Sequence, residues 1–243
     1  MGYYRMMKKI AAVVAAASSI GFASLAHAEA FDTAVGEVDV SMTATLATDY
    51  IWRGQSQTDG AGAVQGSLDI AHESGLYIGA WASNVDGEDF GGSSVEFDYY
   101  TGFGSSITDD ISYDLQWATY TYPGNSSIDV QEVIGSLGLY GFTVGAKYAY
   151  DPSSQLYTFI DYGFDLPYGL GLGLHYGVSD TKDPLDGVGG DEKYSDWAVS
   201  IGKTVLGLDL ALMYSDTDLG DDCAYSDSDS CDSALTFSAS KSF

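Results

Sequence analysis

The chain has 243 residues, 45% hydrophobic and 14% aromatic, and its 35 acids against nine Lys and Arg give a formal charge of −26. Such an acidic surface repels nucleic acid and leaves no basic patch to hold phosphates. One-signed charge on this scale also marks disordered chains, but the dense aromatic and aliphatic content argues against that class.

Met1 to Lys9 carry Arg5, Lys8 and Lys9 and no acid, and an apolar, Ala-rich stretch follows over 10–25. Ala26-His27-Ala28 then places small residues where a signal peptidase reads them. The pattern predicts a secretory signal peptide over 1–28, and Ser18, Ser19 and Gly21 dilute the stretch too much for a lasting membrane anchor. No later apolar run is as long, so helical membrane proteins are excluded. Cleavage would leave one all-β domain of 215 residues over 29–243, with a formal charge of −29 because three bases leave and every acid stays.

Period-two alternation recurs through this mature region. Twelve strand segments are predicted at 38–48, 63–72, 76–85, 94–104, 111–122, 130–139, 142–150, 155–165, 170–179, 194–203, 206–215 and 233–243. Leu170, Leu172, Leu174, Tyr176 and Val178, for example, alternate with Gly171, Gly173, His175 and Gly177. Tight links at 74–75, 140–141, 167–169 and 204–205, with a longer one at 105–110, alternate with acidic, Gly-rich loops. Those loops cover 49–62, 84–93, 123–129, 151–154, 180–193 and 216–232. Short turns at one end and long loops at the other describe a closed antiparallel transmembrane β-barrel, with both termini at the short-turn, periplasmic end.

Alternation does not say which face points out, and a soluble barrel would turn its apolar face inward. Three features favour lipid outside. The wet face is rich in carboxylates. Tyr50, Trp52, Tyr122, Tyr150, Tyr162, Phe164 and Trp197 fall near segment ends, where an interfacial girdle lies. The last strand ends on Phe243, like the signal read by the outer-membrane barrel-assembly machinery. Lys241 departs from the apolar face, close enough to the headgroups to snorkel.

The expected location is the bacterial outer membrane, in contact with lipid and lipopolysaccharide. The wet face offers Asp69, Glu96, Asp98, Asp114, Glu132, Asp161 and Asp209 against Lys147, Lys203 and His175 as pore-lining candidates. One sign of charge along a lumen favours counter-ions, which predicts cation-preferring diffusion of small solutes. The alternative is a non-conducting structural barrel with acidic surface loops.

Arg53, between Trp52 and Gly54 at the outer end of the first strand, either holds the first loop across the mouth through a carboxylate or is a solvated rim residue. No catalytic set is expected. His175 has no Ser or Asp beside it along its own strand, and His72 sits at a turn. No cofactor is implied. Cys223 and Cys231, in an exported acidic loop without a nearby His, predict a disulfide rather than a zinc site. The aspartates of 216–232 could bind Ca²⁺, but they do not follow EF-hand spacing and fit a solvated loop better.

The N-terminal third adds a run of distinctive residues. Asp49-Tyr50-Ile51-Trp52-Arg53-Gly54-Gln55-Ser56-Gln57 leads to Ala63-Val64-Gln65-Gly66-Ser67-Leu68-Asp69. His72-Glu73-Ser74-Gly75-Leu76-Tyr77-Ile78-Gly79, Trp81-Ala82-Ser83-Asn84-Val85, Glu96-Phe97-Asp98 and Tyr120-Thr121-Tyr122-Pro123-Gly124 follow. This set resembles the TorF family of porins, the Gcw conserved-hypothetical family of proteobacteria, over essentially the whole mature chain. The resemblance implies a signal peptide, an outer-membrane barrel and a channel role, and it carries no catalytic motif.

Overall fold

The computed structural model describes residues 29–181, 193–219, 223 and 228–243. The leader expected over 1–28, and parts of the loops at 180–193 and 216–232, lie outside them. The strands are β1 (Glu29–Thr33), β2 (Gly36–Ala47), β3 (Ile51–Trp52), β4 (Gln55–Ser56), β5 (Ala63–His72), β6 (Leu76–Asn84), β7 (Val95–Thr108) and β8 (Ile111–Thr121). They continue as β9 (Val130–Leu139), β10 (Phe142–Asp151), β11 (Gln155–Leu166), β12 (Leu170–Thr181), β13 (Lys193–Val205), β14 (Leu208–Thr217) and β15 (Ala234–Ser242).

Twelve of them, β2 and β5 to β15, form one antiparallel barrel. Consecutive strands pair in turn, and β2 closes the ring by pairing with both β5 and β15. Closure reaches the last residue. Phe243 and Met42 exchange backbone hydrogen bonds, and the Ser240 and Ser242 hydroxyls bond those of Thr45 and Thr43 at 2.8 and 3.0 Å. The short strand β1 folds back on the Gly36–Val40 end of β2 and covers the edge that β15 leaves free. It was not foreseen, because five residues are too short for alternation to stand out.

The turns explain the register. Tyr140-Gly141 and Leu206-Gly207 both have positive φ at both central residues (52° and 86°, 55° and 76°). That is the type I′ geometry whose twist matches the flanking strands. The turn expected at 204–205 therefore sits at 206–207, and β13 runs to Val205, because only Gly207 accepts the second left-handed position without cost. The link expected at 105–110 shortens likewise, since β7 continues to Thr108 with a bulge after Ser106.

Side chains are distributed in the reverse of a soluble protein. Leu46, Val64, Ile78, Leu115, Ile160, Leu212 and Phe237 are exposed on the outside, while Glu96, Asp98, Gln116, Glu132, Lys147 and Asp196 are buried inside. A continuous apolar belt around a polar interior is stable only against hydrocarbon. The soluble alternative therefore fails.

Of the aromatics expected at the girdle, Tyr150 and Trp197 are exposed on the outer surface, but Tyr50 is buried inside. Trp52 belongs to the inner hairpin described below. Lys203, expected on the wet face, pairs with Leu210 on the outward register, one residue out of step with Thr204 and Asp209. Lys241 reaches the carbonyl of Gly207 at 3.4 Å, so the turn receives its charge.

Leu212→Arg, in the middle of the outward face, is expected to lower stability in bilayers by roughly 2–4 kcal/mol, whereas Lys203→Leu, which removes a charge near the rim, is expected to raise it by less than about 1 kcal/mol. Urea titration of protein refolded into lipid vesicles measures both.

Candidate functional site

The interior is governed by the first long loop, 48–62, which folds into the barrel instead of out into solvent. Asp49 anchors its base by accepting bonds from the Ser56 and Thr58 hydroxyls at 2.7 and 2.9 Å. The strands β3 and β4 pair as a miniature hairpin, with Arg53 (φ 49°) and Gly54 (φ 79°) at its tip. Gly54 is wedged against Thr217 and Asp196 so tightly that a Cβ would overlap both. Every residue from Arg53 to Thr58 is buried.

Arg53 is 1% exposed and crosses to the far wall. One terminal nitrogen pairs with the Glu132 carboxylate on β9, and the other donates to Gln155 Oε1 at 2.6 Å. The guanidinium lies 4.0 Å from the Trp52 ring and 4.5 Å from the Tyr157 ring. Burial works against its charge, but Glu132, Tyr120 and Tyr194 together hold the Arg53 pKa above its ordinary value. The solvated-rim reading of Arg53 therefore fails, and the carboxylate partner that the sequence left unnamed is Glu132.

Other loops cover this hairpin. Tyr50 packs edge-on against Trp81, and Val85 and Phe90 of the second long loop join the same cluster. The Asp86 amide donates to the Gln57 carbonyl at 2.8 Å. Cys223 and Cys231 are joined in a disulfide, and the stapled loop rests on the hairpin. Cys231 Sγ lies 3.7 Å from Gln55 Oε1, and the Ser230 hydroxyl donates to Asp59 at 3.4 Å. Gln55 in turn donates to the Tyr194 hydroxyl at 2.6 Å.

The predicted lining residues fall into two groups along the barrel. Glu96, Asp98, Glu132, Lys147, Asp161 and His175 cluster around the hairpin. Tyr50 donates to Glu96 at 3.3 Å and Tyr120 to Glu132 at 2.8 Å. Lys147 is buried 5.9 Å above the Phe159 ring. Asp69, Asp114 and Asp209 lie in the half with the short turns, where Tyr100 bonds Asp69, Tyr77 bonds Asp114 at 2.9 Å and Thr204 bonds Asp209 at 2.6 Å. A cavity of about 50 Å³ opens there, walled by Tyr77, Asp114, Ser112, Ser136 and Thr143.

His175 has carboxylate neighbours after all, from adjacent strands and not from its own. Asp161 lies 2.6 Å from Nδ1, Asp196 lies 3.0 Å from Nε2, and the Tyr157 hydroxyl is 2.7 Å from Nε2. No serine or cysteine hydrogen-bonds the ring among the described residues. Nor do the described residues include three His, Cys, Asp or Glu side chains placed to hold a metal ion.

Asp196 is the main lining residue that the sequence reading missed. It shares parity with Ala198 and Ser200 against Trp197, Val199 and Ile201, so alternation alone could have found it. The Tyr–Gly pairs inside the barrel have no such signal. Tyr100 lies on Gly79, Tyr77 on Gly102 and Tyr157 on Gly177, with no space for a Cβ under any of them.

Gly54→Val is expected to expel the hairpin tip, because the added atoms have nowhere to go. Trypsin should then cleave after Arg53, at least about tenfold faster than in the wild-type protein. Glu132→Ala, which strands a buried guanidinium, is expected to destabilise the barrel by roughly 3–5 kcal/mol in a denaturant titration. Cys231→Ser removes the staple over the hairpin and is expected to raise tryptic cleavage after Arg53 without unfolding the barrel.

Comparison with solved structures finds barrels of similar fold in two porins. The KdgM porin aligns with a TM-score of 0.51 at 10% identity, over 84% of this chain and 99% of its own. The NanC porin aligns with a TM-score of 0.57 at 7% identity, over 83% of this chain and 97% of its own. KdgM has also been solved in complex with disordered oligogalacturonate, and that structure aligns with a TM-score of 0.51 at 8% identity. At such identities the likeness concerns the fold. No curated protein matches the sequence. The family model described as a bacterial protein of unknown function (Gcw_chp) matches residues 31–243, nearly the whole described barrel, and the chain belongs to that family.

Proposed function

We propose that the protein is an outer-membrane porin for passive diffusion of small solutes, that it prefers cations, and that its first loop narrows the path. The observation that carries this reading is the imbalance of charge inside the barrel. Among the described residues Asp69, Glu96, Asp98, Asp114, Glu132, Asp161, Asp196 and Asp209 face the interior, against Arg53, Lys147 and His175. In a low-dielectric wall that excess concentrates counter-ions and repels anions. The periplasmic half, where Asp69, Asp114 and Asp209 lie, carries carboxylates without a basic partner. Oligogalacturonate, the polyanion captured with KdgM, carries the sign that this interior rejects.

A leader over 1–28 would deliver the chain to the periplasm, and the strand ending at Phe243 would present it to the assembly machinery. Lipid and lipopolysaccharide would then cover the apolar belt. A second reading, a non-conducting structural barrel with acidic surface loops, draws support from one observation. The clasp between Arg53 and Glu132, with the loops above it, fills the outer half of the lumen.

Planar-bilayer recording under a KCl gradient separates the two. The expected result is a small conductance in the wild-type protein with a cation-selective reversal potential, and a larger conductance of the same selectivity in Gly54→Val. An anion-selective potential would overturn the charge argument. Absence of conductance in both proteins would favour the structural barrel.

A further inference from the structure

The pocket that holds the Arg53 guanidinium is built almost entirely from the barrel wall. Glu132 comes from β9, Gln155 and Tyr157 from β11, and each is oriented by groups that do not belong to the loop. The Tyr120 hydroxyl donates to the second oxygen of Glu132 at 2.8 Å. The Gln155 amide nitrogen donates to the Thr181 hydroxyl at 3.0 Å, which turns its carbonyl oxygen toward the guanidinium. The Tyr157 hydroxyl is held between His175 and Asp196, and the hydroxyl end of its ring occupies the space over Gly177. A carboxylate, an amide oxygen and an aromatic face are therefore in place whether or not the loop is present. Only Trp52 would leave with it.

The loop reaches this pocket at a cost. Arg53 adopts φ 49°, a left-handed conformation unfavourable for a side chain with a Cβ and natural for the Gly or Asn that such a turn prefers. Its Nε is buried without a hydrogen-bond partner among the described residues. The wall thus satisfies only the two terminal nitrogens and reads the planar end of the group. Two acceptors and a ring face suit a guanidinium better than a compact ammonium.

We propose that this wall pocket is a binding site for solutes carrying a guanidinium group, and that Arg53 occupies it as a tethered stand-in for them. A free solute of this class entering from outside competes with Arg53, so the ligand that the barrel recognises is also the one that releases the loop. This deepens the cation-accepting reading above and rests on it. A short tether gives Arg53 an effective concentration on the order of millimolar, so free ligand binds the wild-type pocket weakly and the vacated pocket well.

The test uses the full-length barrel with Arg53→Ala, its folding confirmed by heat-modifiable mobility on a gel. Arginine and guanidinium chloride are titrated at low millimolar concentration while KCl current is recorded, and binding is read in parallel from tryptophan fluorescence in detergent. Lysine is the control. Arginine is expected to act at a concentration at least about tenfold below that of lysine, and the added change Glu132→Gln is expected to erase that difference.

Equal effects of arginine and lysine, or no effect of Glu132→Gln, overturn the site. If Arg53→Ala does not fold, Gly54→Val, which expels the tip but keeps Arg53, is put through the same comparisons. The reversal potential of the variant without guanidinium reports on the cation pore separately. A cation-selective pore that does not distinguish arginine from lysine keeps the pore and removes the site.

Discussion

A peptide group facing hydrocarbon must find its hydrogen bond within the protein, because each unpaired one costs several kcal/mol. That constraint explains the closed ladder of this barrel, which runs from β5 round to the last residue of the chain. The pairing of Phe243 with Met42, and of β1 with the free edge of β2, are two local answers to the same demand. Once the ladder is closed, the pleat assigns alternate side chains to lipid and to the interior. The excess of acid then has few places left to go: inside, or in the loops.

An interior lined with carboxylates needs donors, since a buried acid without a partner is unstable. Tyrosine supplies most of them. Tyr50, Tyr77, Tyr100 and Tyr120 each reach across to an acid, and glycines on the neighbouring strands leave room for several of the rings. The wall adds Lys147 and His175, and the first loop adds Arg53. This division matters for function. The outer half of the lumen sets Arg53, Lys147 and His175 among its acids and is packed around the hairpin, and the half with the short turns carries Asp69, Asp114 and Asp209 beside a small cavity. Unpaired acids and close packing therefore lie at different depths.

The barrel was legible because its cause is periodic. Strands such as β7, β12 and β14 carry an apolar residue at every second position, and their parity correctly assigned Glu96, Asp98, His175 and Asp209 to one face. Where the reading slipped at strand ends, it slipped by one or two residues, and one residue in a strand changes the face. Lys203 went to the wrong side in this way, and the turn at 206–207 was placed two residues early because the type I′ demand of Gly207 outweighed hydropathy. Asp196 could have been found by the same parity argument that worked elsewhere.

Parity of hydrophobicity, turn chemistry and the alternation of short and long links were enough to establish twelve strands and the acidic interior. These are local properties, repeated along the chain, and each repeat confirms the next. The inward path of the first loop is different in kind. Nothing in 48–62 announces whether it points to solvent or to the lumen. Its direction depends on Glu132 and Gln155, roughly 80 and 100 residues away in sequence. It also depends on Thr217 and Asp196 closing around Gly54. Contacts between residues so far apart form only when the ring has closed, so the site around Arg53 belongs to the folded barrel and to no segment of it.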